Sequence, residues 1–143
     1  MYYPLKIDRI AEKEFLATCR VIPECKYMAD NEAELIKTGV AALSKTLELL
    51  YRRKKKPMPL PDGSLLAGEI KIFLPIKMQF KIMLWNELIA RGITLSTLAR
   101  QLKMTPSQAQ RLVDLTQDRV STDSLESVLS RIGVRVTASE DRW

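Results

Sequence analysis

The spacing of apolar residues changes at Pro75, and this change limits the folds that the chain can adopt. Before Pro75, short segments alternate apolar and polar residues, as half-buried strands do, around one long helical segment. After Pro75, apolar residues recur every three or four positions, which is typical of helices. We therefore predict an α+β fold with a first domain over residues 1–74. An all-α second domain that ends in a short strand is predicted over residues 75–143.

The first domain is predicted to contain three strands. Residues 3–7 and 15–21 alternate and are joined by the polar stretch 9–14, so they should form an antiparallel hairpin. Residues 69–74 alternate again and should form the last strand of this domain. The stretch 54–68 carries three prolines, which cannot continue a helix, and is predicted to be the connection to that strand.

Residues 31–53 are predicted to form one long helix. Asn31 followed by Glu34 is a capping box in form. The apolar stripe that should lie on the hairpin consists of Ala33, Ile36, Val40, Leu43, Leu47 and Leu50. A basic run from residue 52 to residue 56 closes the helix, where cations complement the helix dipole. We predict a solvated helix end there, with direct contact to nucleic acid or to a protein partner as the alternative.

The helix predicted over residues 75–91, which Gly92 ends, carries apolar residues around most of its circumference. Such a helix must be buried on more than one side, which in so small a domain indicates a dimer surface. Val134 and Val136 alternate as a short terminal strand, whose unpaired edges need a partner. We therefore predict a homodimer and leave open whether dimers pair into tetramers.

Residues 94–113 carry the pattern of a helix-turn-helix. Thr94 can cap a short first helix, and the turn begins at Lys103. Thr105 can cap a second helix with Pro106 at its favoured first position. The apolar residues of both helices face each other at the spacing that this motif needs.

The second helix of this motif is predicted to read DNA in the major groove. Gln bonds bidentately to adenine, Arg bonds to guanine, and Ser bonds to phosphate or to a base edge. The predicted DNA-binding residues are Thr94, Lys103, Thr105, Ser107, Gln108, Gln110 and Arg111. An ordinary helical hairpin with polar faces is the alternative, but two capped helices with the small Ala99 at their crossing favour DNA binding. The motif often has Gly where this chain has Lys103, and a left-handed Lys costs about 1 kcal/mol relative to Gly.

The chain has no histidine, which removes the usual general base near neutral pH and the commonest metal ligand. Cys19 and Cys25 are too few for a structural zinc site and are predicted to be reduced. We predict no catalytic residues, no metal and no cofactor. The net charge of +6 favours a polyanionic partner such as nucleic acid. Because no apolar run reaches the roughly 18 residues of a membrane span, we expect a soluble cytoplasmic protein without a membrane partner.

Short motifs follow one another along both domains. In the first domain they are Tyr3-Pro4, Ile22-Pro23-Glu24, Asp30, Ala33-Glu34 and Pro59-Leu60-Pro61. In the second domain they are Ile93-Thr94, Leu98-Ala99-Arg100 and residues 108–112. Taken in order, these motifs resemble those of the HicB antitoxins, in the subgroup with a C-terminal helix-turn-helix. Two positions depart from the family pattern, since Ala29 stands where Gly is usual and Asn31 where Thr is usual.

The resemblance implies an antitoxin with two domains. The first, over residues 1–74, would be a partial ribonuclease H-like fold that binds a HicA-like toxin, which cleaves messenger RNA, and shields its active site. The second, over residues 75–143, would dimerise and repress the operon through double-stranded operator DNA. HicA toxins are typically basic, so the basic run at residues 52–56 is expected to face away from the toxin.

Two other interpretations of the sequence remain open. A ribonuclease H-like fold could act as a metal-dependent nuclease, but such enzymes need several clustered carboxylates. Only Asp8 and Glu69 are placed near strand ends, and no third acid is forced beside them. Alternatively, the chain could be a stand-alone repressor with a first domain that senses a small molecule, although no glycine-rich loop supports this interpretation.

Overall fold

The computed structural model of the chain describes residues 1–135, which form two compact units. The first unit contains Met1–Thr46 and Pro59–Leu74, and the second contains Leu47–Met58 and the described residues from Pro75 onward. The mixed architecture of an antiparallel sheet and helices agrees with the predicted α+β class. Along the sequence, the second unit resumes at Pro75, and the earlier segment Leu47–Met58 also belongs to it rather than to the first unit.

The first unit is built on a sheet of four strands: β1 (Tyr2–Ala11), β2 (Glu14–Thr18), β3 (Lys26–Ala29) and β4 (Glu69–Phe73). Their order is β3-β2-β1-β4, and all neighbouring strands are antiparallel. The predicted hairpin of β1 and β2 is confirmed, but β1 extends to Ala11, so its turn is shorter than predicted. The strand β3 was not predicted, because four residues are too few to show a clear alternation.

The core of this sheet lies on the side that carries Tyr3 and Leu5, both of which are fully buried. The hydroxyl of Tyr3 donates a hydrogen bond to the carbonyl oxygen of Pro59 at 2.7 Å, which ties β1 to the proline-containing connection. Burial raises the pKa of the Tyr3 hydroxyl, and the neighbouring Cys19 adds to the rise. The first strand is therefore fixed by a neutral hydrogen bond as well as by apolar packing.

The long helix predicted over residues 31–53 is divided into α1 (Glu32–Lys37), α2 (Gly39–Leu47) and a π-helical turn (Glu48–Arg52), which we call the π turn. Asn31 caps α1 as predicted, since its side chain accepts a hydrogen bond from the backbone N–H of Glu34 at 2.8 Å. The stripe prediction was correct for the buried Leu43 and Leu47 but wrong for Ala33 and Ile36, which are exposed.

The position of α1 and α2 on the sheet explains this error. Leu35, and not Ile36, is fully buried in α1. The helix is interrupted at Thr38, and Gly39 then lies close to the sheet. A Cβ atom at Gly39 would lie 3.3 Å from Cδ1 of Ile72, so this approach requires glycine or a shift of Ile72. The buried positions Leu35, Gly39, Leu43 and Leu47 recur every four residues, whereas the predicted stripe alternated steps of three and four.

The second unit contains α3 (Ile76–Arg91), α4 (Leu95–Leu102), α5 (Pro106–Arg111) and α6 (Thr122–Arg131). Gly92 ends α3 in the left-handed region with φ of 66°, as a C-terminal glycine should. The apolar side chains of α3 that are buried within one chain are Phe80, Ile82, Leu84, Trp85 and Leu88. Much of the apolar surface that led us to predict a dimer is therefore covered without a second subunit, and the homodimer remains a prediction. Of the predicted terminal strand, Val134 is not in a strand and Val136 lies outside the described residues.

The π turn belongs to the second unit because a buried carboxylate anchors it there. Glu48 is fully buried, and it accepts hydrogen bonds from Arg52, from Arg53 and from the backbone N–H of Leu115 at 3.1 Å. The prediction of a solvated end was wrong for Arg52, which is 6% exposed. Arg52 lies four residues after Glu48, so the two side chains share one face of the helical segment, and the ion pair with the buried carboxylate holds Arg52 inside.

Candidate nucleic-acid interface

The first helix of the motif, α4, begins and ends at the predicted residues. The side chain of Thr94 accepts a hydrogen bond from the backbone N–H of Thr97 at 3.2 Å, which caps the helix. Lys103 ends α4 in the left-handed region with φ of 55°, and the N–H of Met104 bonds to the carbonyl of Ala99 at 2.9 Å. A lysine in this conformation costs about 1 kcal/mol relative to glycine, so the turn keeps a cation at a cost in stability.

The second helix of the motif, α5, begins with a complete capping box. The hydroxyl of Thr105 accepts from the backbone N–H of Gln108 at 3.1 Å. The side-chain oxygen of Gln108 in turn accepts from the backbone N–H of Thr105 at 2.8 Å. Pro106 occupies the first position, as predicted. The reciprocal bonds fix the direction in which α5 leaves the turn.

A small apolar core holds the two helices together. It consists of Leu98, Ala99, Ala109, Leu112 and Val113, all of which are buried. The two alanines provide little bulk, so the helix backbones can approach each other closely. The polar residues on the other sides of α5 are therefore presented by a rigid scaffold rather than by a loop.

The predicted DNA-binding residues divide between two sides of α5. Lys103, Gln108 and Arg111 line a pocket of about 560 Å³. Thr94 and Gln110 line a different pocket of about 780 Å³. The remaining two, Thr105 and Ser107, are exposed at the start of α5. The structure thus brings together Gln108 and Arg111, which are three residues apart, on one side of the helix.

The structure adds residues to the set of DNA-binding residues predicted from the sequence. Arg119 is exposed and lines the same pocket as Arg111, so it adds a second arginine to that side. Its position just before the cap of the next helix was the signal that could have identified it. Arg53 and Lys55 line the pocket of Thr94 and Gln110, and only the fold brings them there.

The loop that follows α5 is held by a buried lysine. The ammonium group of Lys81, on α3, donates to the carbonyl oxygens of Asp114 and Gln117, both at 2.7 Å. Burial lowers the pKa of Lys81, although the carboxylates of Asp114 and Asp118 oppose this effect. Lys81 was not assigned a role from the sequence, because a lysine in a helix usually lies in solvent. Its contacts position the C-terminal side of α5.

Comparison with known proteins agrees with this geometry. Residues 83–137 match the family described as the Cro/C1-type helix-turn-helix DNA-binding domain. The chain is 27% identical over 122 residues to the antitoxin HicB of Pseudomonas fluorescens (strain Pf0-1), covering 85% of this chain and 82% of that protein. It is 24% identical over 139 residues to the antitoxin HicB 1 of Photorhabdus laumondii subsp. laumondii, covering 97% and 86%.

The chain is a relative of the HicB antitoxins. The resemblance seen in its motifs is thereby confirmed, and it extends through both units. The helix-turn-helix of this HicB relative lies in α4 and α5, inside the matched residues. Among residues 1–135, no helix has the length and apolar character needed to span a membrane.

The two units of this HicB relative differ strongly in charge. The first unit carries 8 basic and 9 acidic residues among its described positions, a net charge of −1. The second carries 14 basic and 6 acidic residues up to residue 135, a net charge of +8. A division by sequence order alone hides this difference, because it assigns the basic run to the first half. The excess positive charge thus lies in the unit that contains the helix-turn-helix.

The two carboxylates considered for a nuclease lie on the neighbouring strands β1 and β4. Glu69 accepts hydrogen bonds from Arg20 at 3.0 and 3.1 Å and from the backbone N–H of Leu66 at 2.7 Å. Asp8 lies within β1, opposite Leu16 on β2. In the part of the chain that the structure describes, no three side chains of the metal-ligating types cluster together. Glu69 therefore acts as the acceptor of an ion pair that fixes the start of β4.

Proposed function

We propose that this chain represses its own operon by binding operator DNA through α4 and α5, and that it neutralises a HicA-like toxin in the cytoplasm. The observation that carries the DNA-binding role is the double-capped helix pair, which holds Gln108 and Arg111 on one side of α5. The match to the Cro/C1-type domain supports the same role. The chain would act by binding alone and would not be an enzyme.

In this proposal α5 lies in the major groove and Arg111 bonds to a guanine. Gln110 and Ser107 are further base or phosphate contacts. Gln108 can contribute only its amide N–H group, because its oxygen is occupied in the capping box. The phosphates at the edges of the groove would be contacted by Thr94, Lys103 and Thr105. A homodimer would then need two half-sites about one helical turn apart, or a multiple of this distance.

In this proposal the first unit carries the binding site for the toxin. The named relatives are antitoxins, and the first unit is the part of the chain that is not basic. A basic toxin would be attracted by the acidic residues of this unit and repelled by the second unit. The proposed ribonuclease H-like character of the first unit would make it a binding platform rather than a nuclease.

The test uses the whole chain in two assays. We expect the purified protein to bind a DNA duplex taken from upstream of its own operon, and we expect its affinity to fall when the salt concentration is raised. We also expect it to co-purify with the small protein encoded in the neighbouring reading frame. Equal affinity for the upstream duplex and for a scrambled one would contradict the repressor role. Failure to bind the neighbouring protein would contradict the antitoxin role and leave the DNA result intact.

A further inference from the structure

The cations that follow the π turn have a fixed backbone position in the second unit. We call residues 53–56 the basic segment; it consists of Arg53, Lys54, Lys55 and Lys56. The indole N–H of Trp85 donates to the carbonyl oxygen of Lys56 at 2.8 Å. The side-chain amide of Asn86 bonds to both the N–H and the carbonyl of Met58, at 2.8 and 3.0 Å. The segment is therefore held at both ends, by Glu48 on one side and by α3 on the other.

The side chains of the basic segment are exposed, although its backbone is fixed. Arg53 bonds to Glu48, whereas Lys54, Lys55 and Lys56 have no acidic side chain within ion-pair distance among residues 1–135. Three adjacent cations repel one another, and the approach of a negatively charged partner offsets this repulsion. The π turn and the basic segment together carry five basic residues and one acidic residue, a net charge of +4. This is half of the net charge of +8 that the second unit carries up to residue 135.

The basic segment also shares a pocket with the helix-turn-helix. Arg53 and Lys55 line the same pocket as Thr94 and Ser96, at the start of α4, and as Gln110 of α5. A duplex that lies against Gln110 would therefore come within reach of two cations that are distant in the sequence. Lysine recognises phosphate as a flexible point charge and does not read base edges.

Lys55 of the basic segment also has a strained backbone conformation. Within residues 1–135, the two residues other than glycine with positive φ are Lys55 and Lys103, at 57° and 55°. Strained conformations of this kind persist where the surrounding structure over-determines them, and they cluster at functional sites. Lys55 lines the pocket that contains Gln110 of α5, and Lys103 lines the pocket that contains Arg111 of α5.

We propose that the basic segment is a second DNA-binding site, which contacts the phosphate backbone next to the groove that α5 reads. This inference rests on the proposed DNA-binding function and adds to it a contact independent of base sequence. The partner is duplex DNA rather than an acidic protein, because the pocket that the segment lines continues onto α5.

The test compares three full-length variants with the wild type. The first replaces the lysines as Lys54→Gln, Lys55→Asn and Lys56→Gln, where Asn suits the left-handed position. The second replaces all three by Arg and keeps the charge. The control, with Lys13→Gln, Lys37→Gln and Lys45→Gln, removes the same charge from exposed positions of the first unit. Circular dichroism melts establish that each variant is folded, and each is titrated on upstream and scrambled duplexes at 50 and 200 mM salt.

The neutral variant should bind both duplexes more weakly, by the same factor, while the Arg variant and the control should bind as the wild type does. For each phosphate that the variant no longer neutralises, the ratio of affinities at the two salt concentrations should shrink by about 3.5-fold. A neutral variant that matches the control in affinity and in salt dependence would overturn this inference alone. If the wild type itself bound no duplex, the proposed DNA-binding function would fall first.

Discussion

At the scale of single residues, Lys103 shows how stability and binding can oppose each other. Its left-handed conformation costs about 1 kcal/mol relative to glycine. We predict that Lys103→Gly raises the free energy of unfolding by about this amount and weakens binding to every duplex equally, because glycine has no cation to place against a phosphate. Urea unfolding and DNA titration measure the two effects. A variant that is more stable and binds DNA unchanged would remove Lys103 from the interface.

Gln108 has a structural role that must be separated from its role in binding. Its side-chain oxygen completes the capping box of α5. We predict that Gln108→Glu retains the stability of the chain, because Glu is equally suited to this position, while its negative charge weakens DNA binding. Gln108→Ala should instead lower the free energy of unfolding by about 0.5–1 kcal/mol. If Gln108→Glu bound DNA as tightly as the wild type, the proposed location of the duplex would be wrong.

At the scale of elements, the capped helices were predictable from local sequence alone. Thr94, Thr105 and Pro106 act on backbone groups within three residues of themselves, so their patterns are sufficient. The strand β3 and the buried position of Arg52 were not predictable in this way. The strand is defined by its pairing with β2, and Arg52 is buried because its partner Glu48 is itself buried against the backbone of Leu115. Both outcomes depend on contacts with distant parts of the chain, which a local pattern does not contain.

The loop behind α5 offers a test at the same scale. Lys81→Met would leave the carbonyl oxygens of Asp114 and Gln117 without their donor. Hydrogen bonds to a charged group are strong, so we predict a loss of about 2–4 kcal/mol in the free energy of unfolding. Lys77→Met is the matched control, because its partner Asp118 is largely exposed, and it should cost less than about 1 kcal/mol. Equal losses in the two variants, measured by urea unfolding, would contradict the assigned role of Lys81.

The pH dependence of the same variant has a definite sign. Burial lowers the pKa of Lys81 below its ordinary value of 10.5. The unfolded chain therefore still holds this proton at pH values where the folded chain has released it, so raising the pH through that interval favours folding. The difference in free energy of unfolding between the wild type and Lys81→Met should grow as the pH rises toward 10.5. A difference that is constant with pH would mean that Lys81 titrates normally.

At the scale of the whole molecule, the division of charge was hidden in the sequence and became visible in the structure. The basic run follows a helix of the first half, so sequence order assigns its charge to that half. In the structure, the buried Glu48 anchors this run in the second unit. The second unit therefore carries a net charge of +8 up to residue 135. The sequence was sufficient for the antitoxin resemblance and the helix-turn-helix, but it could not show which cations accompany that motif.

The most direct test of the account is a comparison of Arg111→Ala with the wild type on upstream and scrambled duplexes. If Arg111 reads a guanine, its removal should cost about 1–3 kcal/mol on the upstream duplex and much less on the scrambled one. Arg131→Ala, at an exposed position in the last turn of α6, is the matched control and should bind both duplexes as the wild type does. Equal losses of affinity for Arg111→Ala on the two duplexes would contradict base reading by α5.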